Sequence, residues 1–123
     1  MKRFFFPKSK RLSSNNQIKA VLAQKQCVSN DLLILYMAEN GCGYARVGIS
    51  IGKSQGNAVV RNRLKRLLRE VFRQSQVLIP ADFDYLIMVS QAWRKKYQFS
   101  DLKFELLRES FLNLVNELVK KVR

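Results

Sequence analysis

The chain has 123 residues, with 23 lysines and arginines against 9 aspartates and glutamates, no histidine, and a formal net charge of +14. At 47% apolar residues it can bury the core of one domain, which excludes a disordered basic tail. Such a charge excess opposes compaction through self-repulsion, so the composition asks for a polyanionic partner, nucleic acid first and an anionic membrane surface second.

In chain order, residues 1–12 (MKRFFFPKSKRL) form a basic, aromatic arm. Its apolar run, Phe4 to Phe6, stops at Pro7, short of the ~7–15 residues of a signal-peptide core. No stretch approaches the ~18 apolar residues of a membrane span, so a cytoplasmic protein is expected. Ser13 to Asn16 offer N-cap chemistry, and Ile18, Val21 and Leu22 follow at helical spacing, which predicts a helix over 14–25. CVSND breaks it. Residues 32–38 (LLILYMA) make an apolar run of strand length, closed by the turn ENGCG. YARVGISIGK then alternates strictly: Ala45, Val47, Ile49 and Ile51 share one face, Arg46, Gly48, Ser50 and Gly52 the other. The glycine-rich turn between the two runs predicts an antiparallel hairpin. The second face of the alternating strand is either an ordinary solvent side or one that a ligand backbone can approach over the glycines. Cys27 and Cys42 form no C-x-x-C pair and read as free thiols.

GNAVVRNRLKRLLREVFR (56–73) comes next. Val60, Leu64, Leu67, Leu68, Val71 and Phe72 fall in one helical arc. Lys65, Arg66, Arg69 and Arg73 gather opposite with Asn62, and Arg61 and Arg63 flank the first turn. A basic face is usually a solvated one when acids alternate with bases. Here Glu70 alone interrupts the run, and like charges at i, i+4 repel, so phosphates are the expected counter-charge. Lys53 and the flexible GKSQGN ahead of the helix suit an anion. FDYLIMVS (83–90) is a third strand, and FSDLKFELLRESFLNLVNELVKKVR a long amphipathic helix with Ser100 as N-cap and Leu107, Phe111, Leu114, Val115 and Leu118 as its apolar stripe. The expected fold is a single-domain α+β sandwich over residues 1–123, in the order α-β-β-α-β-α, around a small central sheet.

No self-contained active site is legible. There is no histidine, P-loop, dinucleotide fingerprint or metal-ligand spacing. Asp82 and Asp84 are the one closely spaced acidic pair; they either hold Mg²⁺ or simply lead into a strand. Three functional classes remain open: a subunit that works with a catalytic RNA, a structural RNA binder of ribosomal type, and a membrane-surface module. The last would need the helix's apolar face free, and a domain this size needs that face for its core.

The Arg-Asn-Arg run at 61–63 within the basic helix, with FPKSKRL near the start, RVGISIGK, the strand after PADFD and the closing helix, resembles the bacterial ribonuclease P protein component over nearly the whole chain. The resemblance implies a subunit whose partner RNA performs a Mg²⁺-dependent hydrolysis removing the 5′ leader from precursor tRNA, with Mg²⁺ held mainly by RNA and substrate. It implies no catalytic residue on the protein, no membrane and no obligate protein partner. RNA-binding residues carried over are Lys53, Asn57, Arg61, Asn62, Arg63, Lys65, Arg66 and Arg69. A leader-binding cleft between the first helix and the sheet would hold Ile18, Leu22, Tyr36, Arg46, Gly48 and Ser50; where the family often has aromatic residues on that helix, Ile18 and Leu22 provide apolar packing instead. The resemblance also implies a left-handed β-α-β crossover through the basic helix, against the general right-handed preference.

Overall fold

Strand Phe83–Val89 carries apolar residues on both faces, all buried except the half-buried Met88, and a strand of that kind belongs in the middle of a sheet. In the computed structural model, which describes residues 11–12 and 15–122, that is where it lies. The strands are β1 (Cys27–Ser29), β2 (Leu33–Glu39), β3 (Arg46–Ser50) and β4 (Phe83–Val89), in the sheet order β1-β2-β4-β3. β2 is antiparallel to β1 and to β4, whereas β3 runs parallel to β4.

The expected hairpin of the second and third apolar runs is therefore wrong. β4 is inserted between them, and the turn at Asn40 turns toward β4: the Asn40 backbone N–H donates to the Asp82 carbonyl at 3.0 Å, and its amide donates to Asp84 Oδ1 at 2.9 Å. β1 is a further element that the sequence reading did not expect: α1 already ends at Ala23, Lys25 turns the chain at φ 56, and Cys27–Ser29 at the start of CVSND form the strand.

The helices are α1 (Asn15–Ala23), α2 (Ala58–Ser75), α3 (Trp93–Lys96) and α4 (Phe104–Val122). The expected closing helix is shorter at its start, and Ser100 is not its cap. Residues Phe99–Asp101 form a separate 3-10 turn, closed by a reciprocal capping box between Gln98 and Asp101. The basic arm before Arg11 and the capping read at Ser13 and Ser14 lie outside the described residues.

Pleating divides the sheet. Leu33, Leu35 and Met37 of β2 and Phe83, Tyr85 and Ile87 of β4 point to the side covered by α2 and α4, where they meet Leu64, Leu68, Phe72, Leu107, Phe111 and Leu118. Phe72, Tyr85 and Phe111 form an edge-to-face triad with centroids 5.9, 6.5 and 6.2 Å apart. The Tyr85 hydroxyl donates to the Pro80 carbonyl at 2.6 Å, so the buried phenol is satisfied. On the other side Val21 of α1 and Leu12 cover Ala38 and Leu86, with Ile18, Tyr36 and Met88 at the margin. Because β3 and β4 are parallel, the chain must cross over between them, and α2 is the crossover.

Candidate nucleic-acid interface

The start of α2 is fixed by several independent ties. Asn57 is its N-cap, its side chain accepting from the Val60 N–H at 3.1 Å. Gly56 sits at φ +141, and a side chain there would meet Val60 Cβ at 3.0 Å and Arg94 Nη2 at 2.6 Å; glycine is required. Arg61 donates from Nε to the Gly56 carbonyl at 3.2 Å, and Arg94 to the Gln55 carbonyl at 2.5 Å. Gln55 is itself buried. Its amide donates to the Val89 carbonyl at 3.2 Å and its oxygen accepts from the Trp93 indole at 2.8 Å, which ties the turn to the end of β4. Asn57→Ala should lower stability by about 1 kcal/mol, the usual loss of an N-cap, as measured by urea denaturation; an unchanged midpoint would mean that water replaces the cap fully.

Along α2, Leu64, Leu68, Val71 and Phe72 are buried, as the spacing predicts, and the basic side faces outward. Glu70 accepts hydrogen bonds from Arg73 and Gln74, and these hold its carboxyl below the usual range, Arg73 contributing most. The single acid of the run thus neutralises Arg73. Among the described residues Lys53, Lys65, Arg66 and Arg69 have no carboxylate within ion-pair distance. Arg66 and Arg69 are exposed, as are Asn62 and Lys53, and Lys65 is half-buried. The carried-over residues are thus brought together on one helix and the turn before it, but they divide. Asn57 and Arg61 fasten the helix start, and Arg63 reaches across to the turn before α4, donating to the Leu102 carbonyl at 3.1 Å with its guanidinium 5.5 Å from the Phe99 ring centre.

The second group lies across the sheet. Register places Cys27, Tyr36, Leu86 and Gly48 in one row, and Ser29, Ile34, Met88 and Ser50 in the next, all on the α1 side. Tyr36 is half-buried; neighbouring Cys27 pushes its phenol above the ordinary value, by charge first and then by hydrogen bonding, so the ring is neutral near pH 7. Two of the expected cleft residues serve otherwise. Arg46 grips Asp84 with two hydrogen bonds of 2.7 Å, and this pairing raises the guanidinium's pKa. Gly48 is roofed by Leu12, whose Cβ would lie 3.1 Å from a side chain there and whose N–H donates to the Val47 carbonyl at 2.7 Å. The small residue admits the chain's own arm where a ligand was one expectation. Ile18, Leu22, Tyr36 and Ser50 remain accessible to differing degrees, and Ile34 and Met88, which sequence reasoning missed, join them.

Asp84 does not fit a metal-ligand role, because Arg46 and Asn40 already occupy its carboxylate. Among the described residues no group of three or more histidines, cysteines, aspartates or glutamates comes together, and no helix is long and apolar enough to cross a membrane. Cys27 and Cys42 are free thiols.

Comparison with known proteins points the same way as the Arg-Asn-Arg helix. The ribonuclease P family model matches residues 6–119. The ribonuclease P protein component of Thermotoga petrophila is 30% identical over 115 residues, spanning 92% of this chain and 95% of that protein. Among solved structures, the RNase P protein of Thermotoga maritima superposes with a TM-score of 0.77 at 29% identity, covering 87% of this chain and 96% of that one. The RNase P protein of Staphylococcus aureus gives 0.73 at 25% identity, covering 87% and 93%. The chain belongs to the family of ribonuclease P protein components.

Proposed function

We propose that this chain is the RNA-binding protein subunit of a ribonuclease P, docking on the catalytic RNA through the basic face of α2 and receiving the 5′ leader of precursor tRNA along the α1 side of the sheet. The RNA performs the hydrolysis, and Mg²⁺ belongs to the RNA and substrate. The observation that carries the reading is the uncompensated cationic face: Lys65, Arg66 and Arg69 project from a helix whose opposite side is core, with the one nearby acid already engaged by Arg73. An external polyanion relieves that repulsion, and an RNA surface supplies phosphates at regular intervals. The half-covered face around Tyr36, Ile34 and Met88 suits an unpaired strand, whose bases stack on aromatic rings.

Reconstitution tests this. RNA-free protein should cut nothing, and its addition to the matching catalytic RNA should stimulate release of the leader from precursor tRNA. Tyr36→Ala should weaken the reconstituted enzyme's affinity for precursor tRNA by the loss of one stacked base, about 1–3 kcal/mol, while mature tRNA binds as before. Equal losses for both would make Tyr36 a core residue only. Cleavage by RNA-free protein, or co-purification with ribosomal RNA in place of one abundant catalytic RNA, would overturn the assignment itself.

A further inference from the structure

Val59, Asn62, Arg63 and Arg66 recur at i, i+3, i+4 and i+7 of α2 and line one stripe. Together with Phe99 they enclose a groove of about 410 Å³. Two large apolar groups sit on this otherwise cationic rim: Val59 is 68% exposed and Phe99 39%. Neither is explained by the core. Phe99 is not loosely held. It stands on the 3-10 turn locked by Gln98 and Asp101, and the Arg63 guanidinium is fixed 5.5 Å from its ring centre by the hydrogen bond to the Leu102 carbonyl. The groove therefore presents an aromatic ring, a guanidinium and an aliphatic rim already in place, beside Arg66, which has no carboxylate partner among the described residues.

Charge complementarity selects the occupant. A second copy of a chain with net charge +14 would bring like charge to a rim already cationic. A nucleotide matches both halves of the groove, since its base has a flat face for the ring and its phosphate a charge for the arginine. We propose that this groove holds one unpaired nucleotide of the partner RNA, its base against Phe99 and Val59 and its phosphate on Arg66, with Asn62 offering a donor and an acceptor to the base edge. The proposal rests on the RNA-partnered function above and adds a stacking contact to an interface otherwise made of charge.

Stacking and charge separate experimentally, because stacking releases no counterions. The full-length protein is titrated against transcribed ribonuclease P RNA of the same organism over a salt series, as wild type, Phe99→Leu, Phe99→Tyr and Val59→Ser. Phe99→Leu should bind about tenfold more weakly, within the range for one stacked base, with its log–log salt slope unchanged. Phe99→Tyr, which keeps the ring, should bind like wild type. Val59→Ser, which takes no part in the hydrogen bond between Arg63 and Leu102, should weaken binding without lowering the melting temperature. Chemical probing of the bound RNA should reveal one nucleobase exposed in the Phe99→Leu complex and protected in wild type. If wild type binds and Phe99→Leu equals it in affinity and protection, the subsite is wrong while the function stands. If wild type does not bind the RNA, the function itself fails. Self-association of the free protein that Phe99→Leu abolishes would mark the groove as a protein interface and overturn the proposal. A lowered melting temperature with uniform loss of protection would do the same, by making Phe99 a prop for Arg63.

Discussion

Phe111→Ala should destabilise the protein by about 3–5 kcal/mol, the range for a fully buried phenylalanine. Phe111 is wholly buried and touches both of the other rings of the triad, Phe72 from α2 and Tyr85 from β4, edge to face. Its removal therefore strips the ring contacts that join α4 to the crossover helix and to the central strand. Neighbours in such a core collapse only partly, so cavity and lost transfer free energy add. For a chain of this size the melting temperature should fall by roughly 12–20 °C, read by circular dichroism. A fall below about 4 °C would mean that the helices close over the gap and that the triad is dispensable.

The second large effect is on RNA binding. With Lys65, Arg66 and Arg69 all replaced by alanine, the slope of log affinity against log salt should shrink in magnitude by about 2–3, from ~0.7–0.9 per lost phosphate contact. Stability should hold, since Arg66 and Arg69 are exposed and Lys65 half-buried, outside the apolar stripe, and surface substitutions usually shift it by only about ±0.5 kcal/mol each. It can even rise, because Lys65 and Arg69 stand at i, i+4 on the same face as like charges. The measurement is a salt series of RNA titrations beside a thermal melt. An unchanged slope with a sharply lowered melting temperature would show that these cations serve pairing within the protein, and the docking assignment of α2 would fall.

α2 was the most legible part of the chain because its information is local. Leu64, Leu68 and Val71 announce the buried side by spacing, and the scarcity of acids announces the other. The strand alternation likewise told which face each side chain of β3 takes. What it could not tell was the neighbour. Arg46 meets Asp84 across 38 positions, and that pairing exists only because β4 enters between β2 and β3. A two-sided apolar strand such as FDYLIMV carried the signal for a central place, but the nearby glycine turn suggested the shorter connection. Gly48 shows a related limit: alternation says that a small residue faces outward, not that Leu12 will lie on it. The short β1 and the four-residue α3 are below the length at which periodicity speaks, and tertiary contacts decide them. Phe99 gave no signal because reading Ser100 as the N-cap leaves it just outside the helix as an ordinary flanking residue, whereas the capping box of Gln98 and Asp101 holds it in a turn of its own.

The buried knot of Gln55 and Trp93 has a practical side. The chain contains a single tryptophan, only 2% exposed, and its indole N–H donates a hydrogen bond to Gln55, at the foot of α2. Intrinsic emission selected for tryptophan thus comes from one dry site, where wavelength follows the polarity and hydrogen bonding of the indole. A partner that pulls on the Lys53–Gln55 turn would alter the colour of the protein's own fluorescence before any helix melts, so the molecule carries its own optical gauge of strain at the start of α2.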